Sequence, residues 1–374
     1  MPDLAFFGHD ARDAAVQRRI KAFEHAGARV RAFTMRRGAA FEAPWANVDL
    51  GETRDAAFVQ RIAALARARP LLRAHVETLR GADLIYARNL DMLWLAHWAR
   101  RMARSSAPLV FECLDIHRFM TRNDPLGAAM RSVERGLLKD VSLVVVSSPA
   151  FVREYFDVHQ PNRVRPLLIE NRLPWGFDYG ARPAGAYAGA GPIRIGWFGN
   201  LRCKRSMSLL LALAERLPER VHVSLRGAPA RTELPDFEAR IAGRANVSFG
   251  GRYAWPAELA SIYADVDVVW AGDFHDPGAN SKWLLPNRLY EGGYYAAAPV
   301  APADSETGRW IDAHGFGFTL AEPLEQTLPA FLASLDRARI GERRARLLAA
   351  NSDVFLQPKD ELKAVFAAAM EQGG

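Results

Sequence analysis

The chain has 374 residues, 49% hydrophobic and 24% charged, a globular composition that excludes a disordered or collagen-like chain and leaves room for two or three domains. Its two cysteines, Cys113 and Cys203, are too few for a disulfide framework and lie too far apart for a cysteine metal motif. The formal net charge of +7 is lopsided: residues 1–190 hold 28 Lys+Arg against 20 Asp+Glu, net +8, and the remainder holds 21 against 22, net −1. An anionic partner is therefore expected on the first half, whether a nucleic acid, a membrane face or a charged substrate.

Short apolar runs alternate with amphipathic stretches along the whole chain. LAFFG (4–8) forms an expected first strand. Ala11 to Ala26 follows with helical spacing through Ala15, Ile20 and Phe23, closed by Gly27 before the strand ARVRAFTM. From Ala56 to Leu79 the apolar residues Phe58, Ile62, Leu65, Leu72, Val76 and Leu79 share one side of a helix. Five arginines populate its polar surface, and Pro70 is expected to kink it. ADLIYA (82–87) leads into a helix through Trp94 and Trp98. PLVFECL (108–114) and VSLVVVSS (141–148) each precede another helical stretch. Runs such as Leu143 to Val146, apolar on both faces, suit parallel strands covered on each side by helices.

PWGFDYGARPAGAYAGAGP (174–192) breaks this pattern, being rich in Gly, Pro and Ala and without period. The alternation then restarts with IRIGWFG (193–199), SMSLLLALAERLP (206–218), VHVSLRG (221–227), NVSFGG (246–251), VDVVWAG (266–272) and AAPVAP (297–302). The expected organisation is α/β: a Rossmann-like domain over 1–175, a linker over 176–191 and a second Rossmann-like domain over 192–345. A tail over 346–374 would end in a helix, PKDELKAVFAAAM, able to return to the first domain. Two such parallel sheets would bind ligands at the carboxyl ends of their strands.

Two segments of the second domain carry chemistry. Gly196-Trp-Phe-Gly-Asn-Leu-Arg-Cys-Lys-Arg-Ser206 lies where its first strand turns into its first helix. Gly199 permits close backbone approach, and the helix start offers N–H groups to an anion. Arg202, Lys204 and Arg205 add charge-assisted donors suited to a diphosphate. A solvated basic turn with Ser206 as an ordinary N-cap is the plainer reading of the same residues. The second segment is LLPNRLYEGGYYAAAPVAP (284–302), where a helix from about Asn287 to Tyr295 places Arg288 and Glu291 one turn apart. A carboxylate there can accept hydrogen bonds from both hydroxyls of a ribose, and an Arg288–Glu291 surface pair is the bland alternative.

Taken together, GWFGNLRCKRS, then Asn246-Val-Ser-Phe-Gly-Gly251 with Leu259, Tyr263 and Ala264-Asp-Val-Asp-Val268, then Pro286-Asn-Arg-Leu-Tyr-Glu291 with Ala298-Pro-Val300, resemble the donor half of GT-B glycosyltransferases. The likeness is to family 4 and its exopolysaccharide relatives, and it covers about 110 residues in order. The FGHD start and ECLDIH resemble bacterial enzymes building succinoglycan-type polymers. The resemblance implies two Rossmann-like domains facing a central cleft and hexosyl transfer from a nucleotide-diphosphate sugar to a lipid-linked oligosaccharide. By it, Glu291 binds the donor ribose and Arg202, Lys204 or Arg205 the diphosphate, with Gly199, Asn287 and Arg288 beside them. The family's paired glutamate, eight residues before Glu291, is Trp283 here; Arg288 replaces the common lysine and Ala297 the usual glycine. The loop Gly278-Ala-Asn-Ser281-Lys282 is a candidate to take over part of the missing carboxylate's role.

In the first domain, Asp115 and His117 follow a strand, at the turn where the family carries a catalytic or sugar-contacting side chain, and either could take an acceptor's proton. Ser147-Ser148 and Gly8-His-Asp-Ala-Arg12 occupy corresponding strand ends. No DxD metal motif is evident outside the family-like Ala264-Asp-Val-Asp-Val268 string, and neither metal nor cofactor is expected. The start, MPDLAFFGHDARD, lacks a signal-type apolar core, so a cytoplasmic location is expected. Peripheral contact with the inner face of the bacterial plasma membrane would come through the basic helix at 56–80. Two other readings are an epimerase of the same architecture and a basic nucleic-acid-binding protein. The absence of paired carboxylates and the long basic first half favour transfer over the first, and the absence of a nucleic-acid motif disfavours the second.

Overall fold

The computed structural model of the chain describes residues 1–40, 42–53, 58–184, 189–276 and 280–371. They form two compact units. Unit 1 comprises Met1–Glu170, Pro174–Gly176 and Pro358–Gly374, and unit 2 comprises Asn171–Leu173 and Phe177–Gln357.

Unit 1 runs β1 (Asp3–Gly8), α1 (Ala14–His25), β2 (Arg29–Arg36), β3 (Asn47–Glu52), α2 (Phe58–Arg73), α3 (Val76–Arg80), β4 (Leu84–Arg88), α4 (Leu90–Ala103), β5 (Leu109–Cys113), α5 (Pro125–Leu138) and β6 (Leu143–Val146). Two short turns, α6 (Pro149–Phe151) and α7 (Asp157–His159), flank a π-helical stretch before β7 (Pro166–Leu168). All seven strands are parallel, in the order β3-β2-β1-β4-β5-β6-β7. Successive residues of β1 face opposite sides, and both sides are buried: Leu4 and Phe6 belong to a core with Val16, Ile20 and Phe23 of α1, and Ala5 and Phe7 are buried as well. That double burial is why the strand sequences are continuously apolar instead of alternating.

Unit 2 continues with β8 (Ile193–Leu201), α8 (Lys204–Arg216), β9 (Val221–Pro229), α9 (Phe237–Ile241), β10 (Val247–Phe249), α10 (Leu259–Ala264), β11 (Val268–Trp270), α11 (Asn280–Trp283) and α12 (Asn287–Tyr294). It closes with β12 (Ala298–Pro302), α13 (Glu306–His314), β13 (Phe318–Leu320), α14 (Leu324–Ser334) and α15 (Arg337–Ala349). Its six strands are parallel in the order β10-β9-β8-β11-β12-β13. α16 (Glu361–Met370) then belongs to unit 1, where Leu362, Val365 and Phe366 join the α1 core.

Several elements differ from the sequence reading. α1 begins three residues later than Ala11 because the Asp13 carboxylate accepts the N–H groups of Ala15 and Val16 and so caps the helix there. Pro70 sits inside α2, and the break to α3 falls instead at Ala74–His75. Ala56, the expected start of this helix, and the side chains of Phe58 and Ile62 lie outside the described residues, as do Gly278 and Ala279. Within the expected linker, Tyr179 is buried in the unit 2 core, its ring beside Trp255 and Tyr294. Arg182 donates to the carbonyls of Tyr294, Leu347 and Ala350. Tyr179 and Arg182 are thus tied to unit 2, which runs from Phe177 to Gln357, with Pro174–Gly176 in unit 1.

Candidate functional site

Each sheet reverses its strand order once, between β1 and β4 in unit 1 and between β8 and β11 in unit 2, and crevices beyond such switch points are where open α/β sheets bind ligands. At the unit 2 switch point β8 stays paired with β9 through Gly199 and Gly227. A Cβ on Gly227 would collide with the Gly199 carbonyl oxygen, and Gly199 itself has φ +108°. Only glycine permits the close approach of these two strands at their carboxyl ends.

The basic turn follows directly. α8 is capped by Cys203, whose Sγ accepts from Ser206 N at 3.3 Å and from Phe274 N at 3.3 Å. Ser206 is therefore not the cap. Its hydroxyl lies under Trp270, accepting the indole N–H at 3.0 Å and donating to the Gly272 carbonyl at 3.5 Å. These bonds fasten the start of α8 to the strand end at 270–274.

The three cations of the turn have different surroundings. Arg205 donates to Glu322 at 2.7 and 2.9 Å and to Glu325 at 3.0 and 3.2 Å, and its guanidinium covers Phe274 at 4.6 Å. Lys204 is exposed and pairs with Glu233 at 3.4 Å. Arg202 is half-buried, and among the described residues no carboxylate pairs with it.

The second segment converges on the same place. Arg288 donates to Gly272 O at 2.9 Å and lies 3.9 Å from Asp273. The Asp273 carboxylate accepts from Ser281 Oγ at 2.9 Å, and Ser281 accepts from Asp276 N at 2.8 Å. The structure thus brings Cys203, Ser206, Ser281 and Arg288 together around residues 272–274, and Gly199 and Arg202 precede Cys203 in the chain at the end of β8. Lys282 turns to Asp304 at 2.6 Å, and Asn287 opens α12.

One turn along, Glu291 is 4% exposed and accepts from the Tyr263 hydroxyl at 3.1 Å. Burial, then the Glu291 charge, pushes the Tyr263 phenol well above its ordinary range, so it stays a neutral donor. Tyr263 is held in turn by stacking on Tyr295 at 5.7 Å and by the edge of Phe198 at 5.1 Å. Arg288 and Glu291 are committed to different partners, which removes the simple surface pair as an account of both. Tyr263 was legible only as part of a family-like string; its bond to Glu291 is a long-range contact.

In unit 1, Asp115 and His117 lie on the exposed loop after β5. His117 Nδ1 accepts from Phe119 N at 3.3 Å, and its ring meets the Phe119 ring at 4.8 Å. Two features escaped the sequence reading. The first is a buried ionic cluster at the ends of β4 and β5, where Arg88 and Glu112 are register partners. Glu112 pairs with Arg19 at 2.7 Å and with Arg88 at 2.6 Å. A charged residue inside the apolar string VFEC was the available signal, since such a group is buried only with a partner. The second is the contact between Asn89 Nδ2 and His9 Nδ1, 3.3 Å, spanning the β1/β4 switch point. Asn89 holds φ +73° without a glycine's freedom. Burial is the chief cause that lowers the His9 imidazole's pKa, which favours its neutral form. Among the described residues no group of three or more His, Cys, Asp or Glu is placed to hold a metal ion.

Comparison with known proteins gives a consistent picture. No family model matches the chain. The succinoglycan biosynthesis protein ExoL of Rhizobium meliloti (strain 1021) is 38% identical over 346 residues, covering 90% of this chain and 85% of that protein. The crystal structure of Anabaena Alr3699/HepE in complex with UDP-glucose superposes with a TM-score of 0.70 at 17% identity, over 99% of this chain and 100% of that one. WaaG, a glycosyltransferase involved in lipopolysaccharide biosynthesis, gives 0.63 at 15% identity, over 99% and 100%. The two parallel sheets of seven and six strands are those of the GT-B architecture.

Proposed function

The chain belongs to the family of the succinoglycan biosynthesis protein ExoL, and from that membership we propose how it works as a GT-B glycosyltransferase of exopolysaccharide synthesis. The enzyme is a hexosyltransferase that uses a nucleotide-sugar donor. Unit 2 binds the nucleoside diphosphate and unit 1 receives a lipid-linked oligosaccharide acceptor. The observation that carries it is the convergence of the α8 start, the 272–274 backbone and α12 on one switch point, with Glu291 buried one turn beyond.

Glu291, oriented by Tyr263, accepts hydrogen bonds from the ribose hydroxyls. Gly199 and the α8 start approach the diphosphate, with Arg202 as its principal cation. Lys204 contributes from the exposed side, and Arg205 braces the turn through Glu322 and Glu325. Arg288, Ser281, Lys282 and Asn287 shape the neighbouring wall. In the transfer step the bond from C1 of the hexose to the diphosphate oxygen breaks and a bond from C1 to the acceptor hydroxyl oxygen forms. Asp115 takes the acceptor's proton, with His117 as the neighbouring titratable group. The positive side chains and helix N–H groups stabilise the charge on the departing nucleoside diphosphate, so no metal is required. The acceptor's lipid carrier would hold the enzyme at the inner face of the plasma membrane.

A thermal-shift panel of nucleoside diphosphates and nucleotide sugars tests the donor half. A ligand that binds the native state raises its stability by RT ln(1 + [L]/Kd). UDP and UDP-hexoses are expected to raise the melting temperature, and a panel without any shift would remove the reading.

A further inference from the structure

At the unit 1 switch point one residue breaks three local rules at once. β4 ends at Arg88 and α4 begins at Leu90, so Asn89 alone turns the strand into the helix. It does so at φ +73° and ψ 159°, a backbone region that glycine adopts freely and other residues avoid. Asn89 also stands at the N-cap of α4, where asparagine is among the preferred residues, yet its side chain caps nothing. Its Oδ1 is buried without a hydrogen-bond partner among the described residues, a further cost. The backbone is fixed in this position by Asn89 N donating to Glu112 O at 3.1 Å and Leu93 N donating to Asn89 O at 3.0 Å. Glycine would remove the first and third penalties, so the strand-to-helix turn alone gives no reason for an amide here.

What the amide does is hold His9. Asn89 Nδ2 faces His9 Nδ1 at 3.3 Å, across from the carboxyl end of β4 to that of β1. A neutral imidazole whose Nδ1 accepts carries its proton on Nε2. The ring is half-buried, and among the described residues His9 makes no second hydrogen bond. The charges that face it come from four elements and are balanced in sign: Asp13 at the start of α1, Arg37 beyond β2, Arg88 at the end of β4 and Asp91 in α4. Each has a partner of its own. Asp13 caps α1, Arg37 lies 3.7 Å from Asp10, Arg88 pairs with Glu112 and Asp91 with Arg61. Burial therefore decides the ring's state and keeps it neutral. A neutral N–H donor among balanced charges has little to offer a phosphate or a carboxylate, whereas an uncharged hydroxyl oxygen matches it.

We infer that His9 and Asn89 form a subsite for an uncharged sugar: His9 Nε2–H donates to a hydroxyl oxygen of the acceptor's terminal hexose, and Asn89 fixes the ring and its tautomer. The inference rests on the reading that unit 1 receives the acceptor, and it names a contact for it. His9 is a binding residue here and Asn89 a positioning residue. With its proton on Nε2, His9 orients a hydroxyl and leaves proton removal to Asp115.

The test is two-bond proton–nitrogen spectroscopy of the full chain labelled with ¹⁵N-histidine, with His9 assigned by its loss in His9→Ala. His9 should show the Nε2-protonated tautomer at pH 7 and titrate below the ordinary imidazole value of about 6.5. Asn89→Asp places a carboxylate against Nδ1 and should move the neutral ring's proton there and raise the titration midpoint. Asn89→Gly should melt at the same temperature as wild type or higher, because the backbone penalty is relieved, and should lose the tautomer preference. Methyl glucoside and methyl galactoside are the probes, with sodium phosphate as the anionic arm. The hexosides should shift the His9 resonances, and His9→Ala and Asn89→Gly should each weaken their binding by about 2- to 10-fold, the range of one neutral hydrogen bond. Both variants should keep the wild-type UDP-induced thermal shift, which reads folding and the donor site separately. Hexosides that shift His117 and leave His9 unmoved would overturn the inference and keep the reading of unit 1. A panel that moves no histidine of unit 1 would overturn both. A larger response of His9 to phosphate than to either hexoside, or a His9 protonated on Nδ1 in the wild type, would also overturn the subsite.

Discussion

Glu112→Gln is the substitution whose consequence the structure defines most sharply. Glu112 is 1% exposed, and its carboxylate lies between the guanidiniums of Arg19, 2.7 Å from one oxygen, and Arg88, 2.6 Å from the other. Burial pushes the Glu112 carboxyl up; the charges of Arg19 and Arg88 and the hydrogen bonds from Arg19 and Tyr86 push it down further, and it settles below the usual carboxylate range. Glutamine keeps the size but removes the charge, and its amide N–H₂ points a donor at a donor. Breaking a buried ion pair on one side costs about 3–5 kcal/mol, because the partner is left charged and unsolvated. Against a typical domain stability of ~5–15 kcal/mol, that is a large fraction. For a unit of this size it corresponds to a fall of about 6–20 °C in melting temperature.

The pH dependence gives the sign independently. A carboxylate whose folded pKa is depressed contributes stability above its unfolded value, about 4.3, and loses that contribution as pH falls through the folded value. Wild type and Glu112→Gln should therefore differ fully at pH 7 and converge as the pH drops below about 4. Urea titrations by far-ultraviolet circular dichroism measure the gap, and hydrogen exchange at the β4 and β5 amides locates it in unit 1. Replacing the whole cluster by apolar residues, Arg19→Met with Arg88→Met and Glu112→Leu, should cost less than Glu112→Gln alone, since no uncompensated charge remains. A Glu112→Gln variant within about 1 kcal/mol of wild type, or a gap that is the same at low and neutral pH, would refute the reasoning.

Three further outcomes concern the chemistry. Glu291→Ala should raise the donor KM about 10- to 150-fold, the range of one charge-assisted hydrogen bond; Tyr263→Phe, which keeps the carboxylate but not its orientation, should fall between it and wild type. An unchanged donor KM in Glu291→Ala would remove the ribose assignment. Asp115→Asn should lower kcat by about 10²- to 10⁴-fold while UDP affinity stays constant, and steady-state kinetics beside a UDP titration separate the two quantities; full activity would leave Asp115 without a catalytic role. Dialysis against EDTA should leave turnover unchanged, and activity lost on chelation and restored by Mg²⁺ would contradict charge stabilisation by side chains alone.

What could be recognised from the residues, and what could not, follows from the range of the forces involved. Parallel strands such as Leu143–Val146 and the helix over Asn287–Tyr294 are local objects, written in apolar runs and helical periods that a few neighbouring residues determine. β3 at Asn47–Glu52, by contrast, is an edge strand of NVDLGE, polar enough to pass for a loop, and it exists because β2 offers it a register partner. The site divides along the same line. Gly199 and the basic turn declare themselves by position between a strand and a helix, yet which cation is available to a phosphate depends on Glu322 and Glu325, more than a hundred residues away from Arg205. Exposure is the least local property of all. Nothing in the spacing of Leu126, Met130 and Val133 distinguishes a stripe that faces a core from one that faces solvent, and the arginine-rich α2 drew attention because charge is visible in a sequence. α5 turns Gly127, Glu134, Leu137 and Leu138 inward, with the Glu134 carboxylate bonded to Tyr155 and Gln160, and leaves Leu126 and Val133 exposed, a division that only these distant partners reveal.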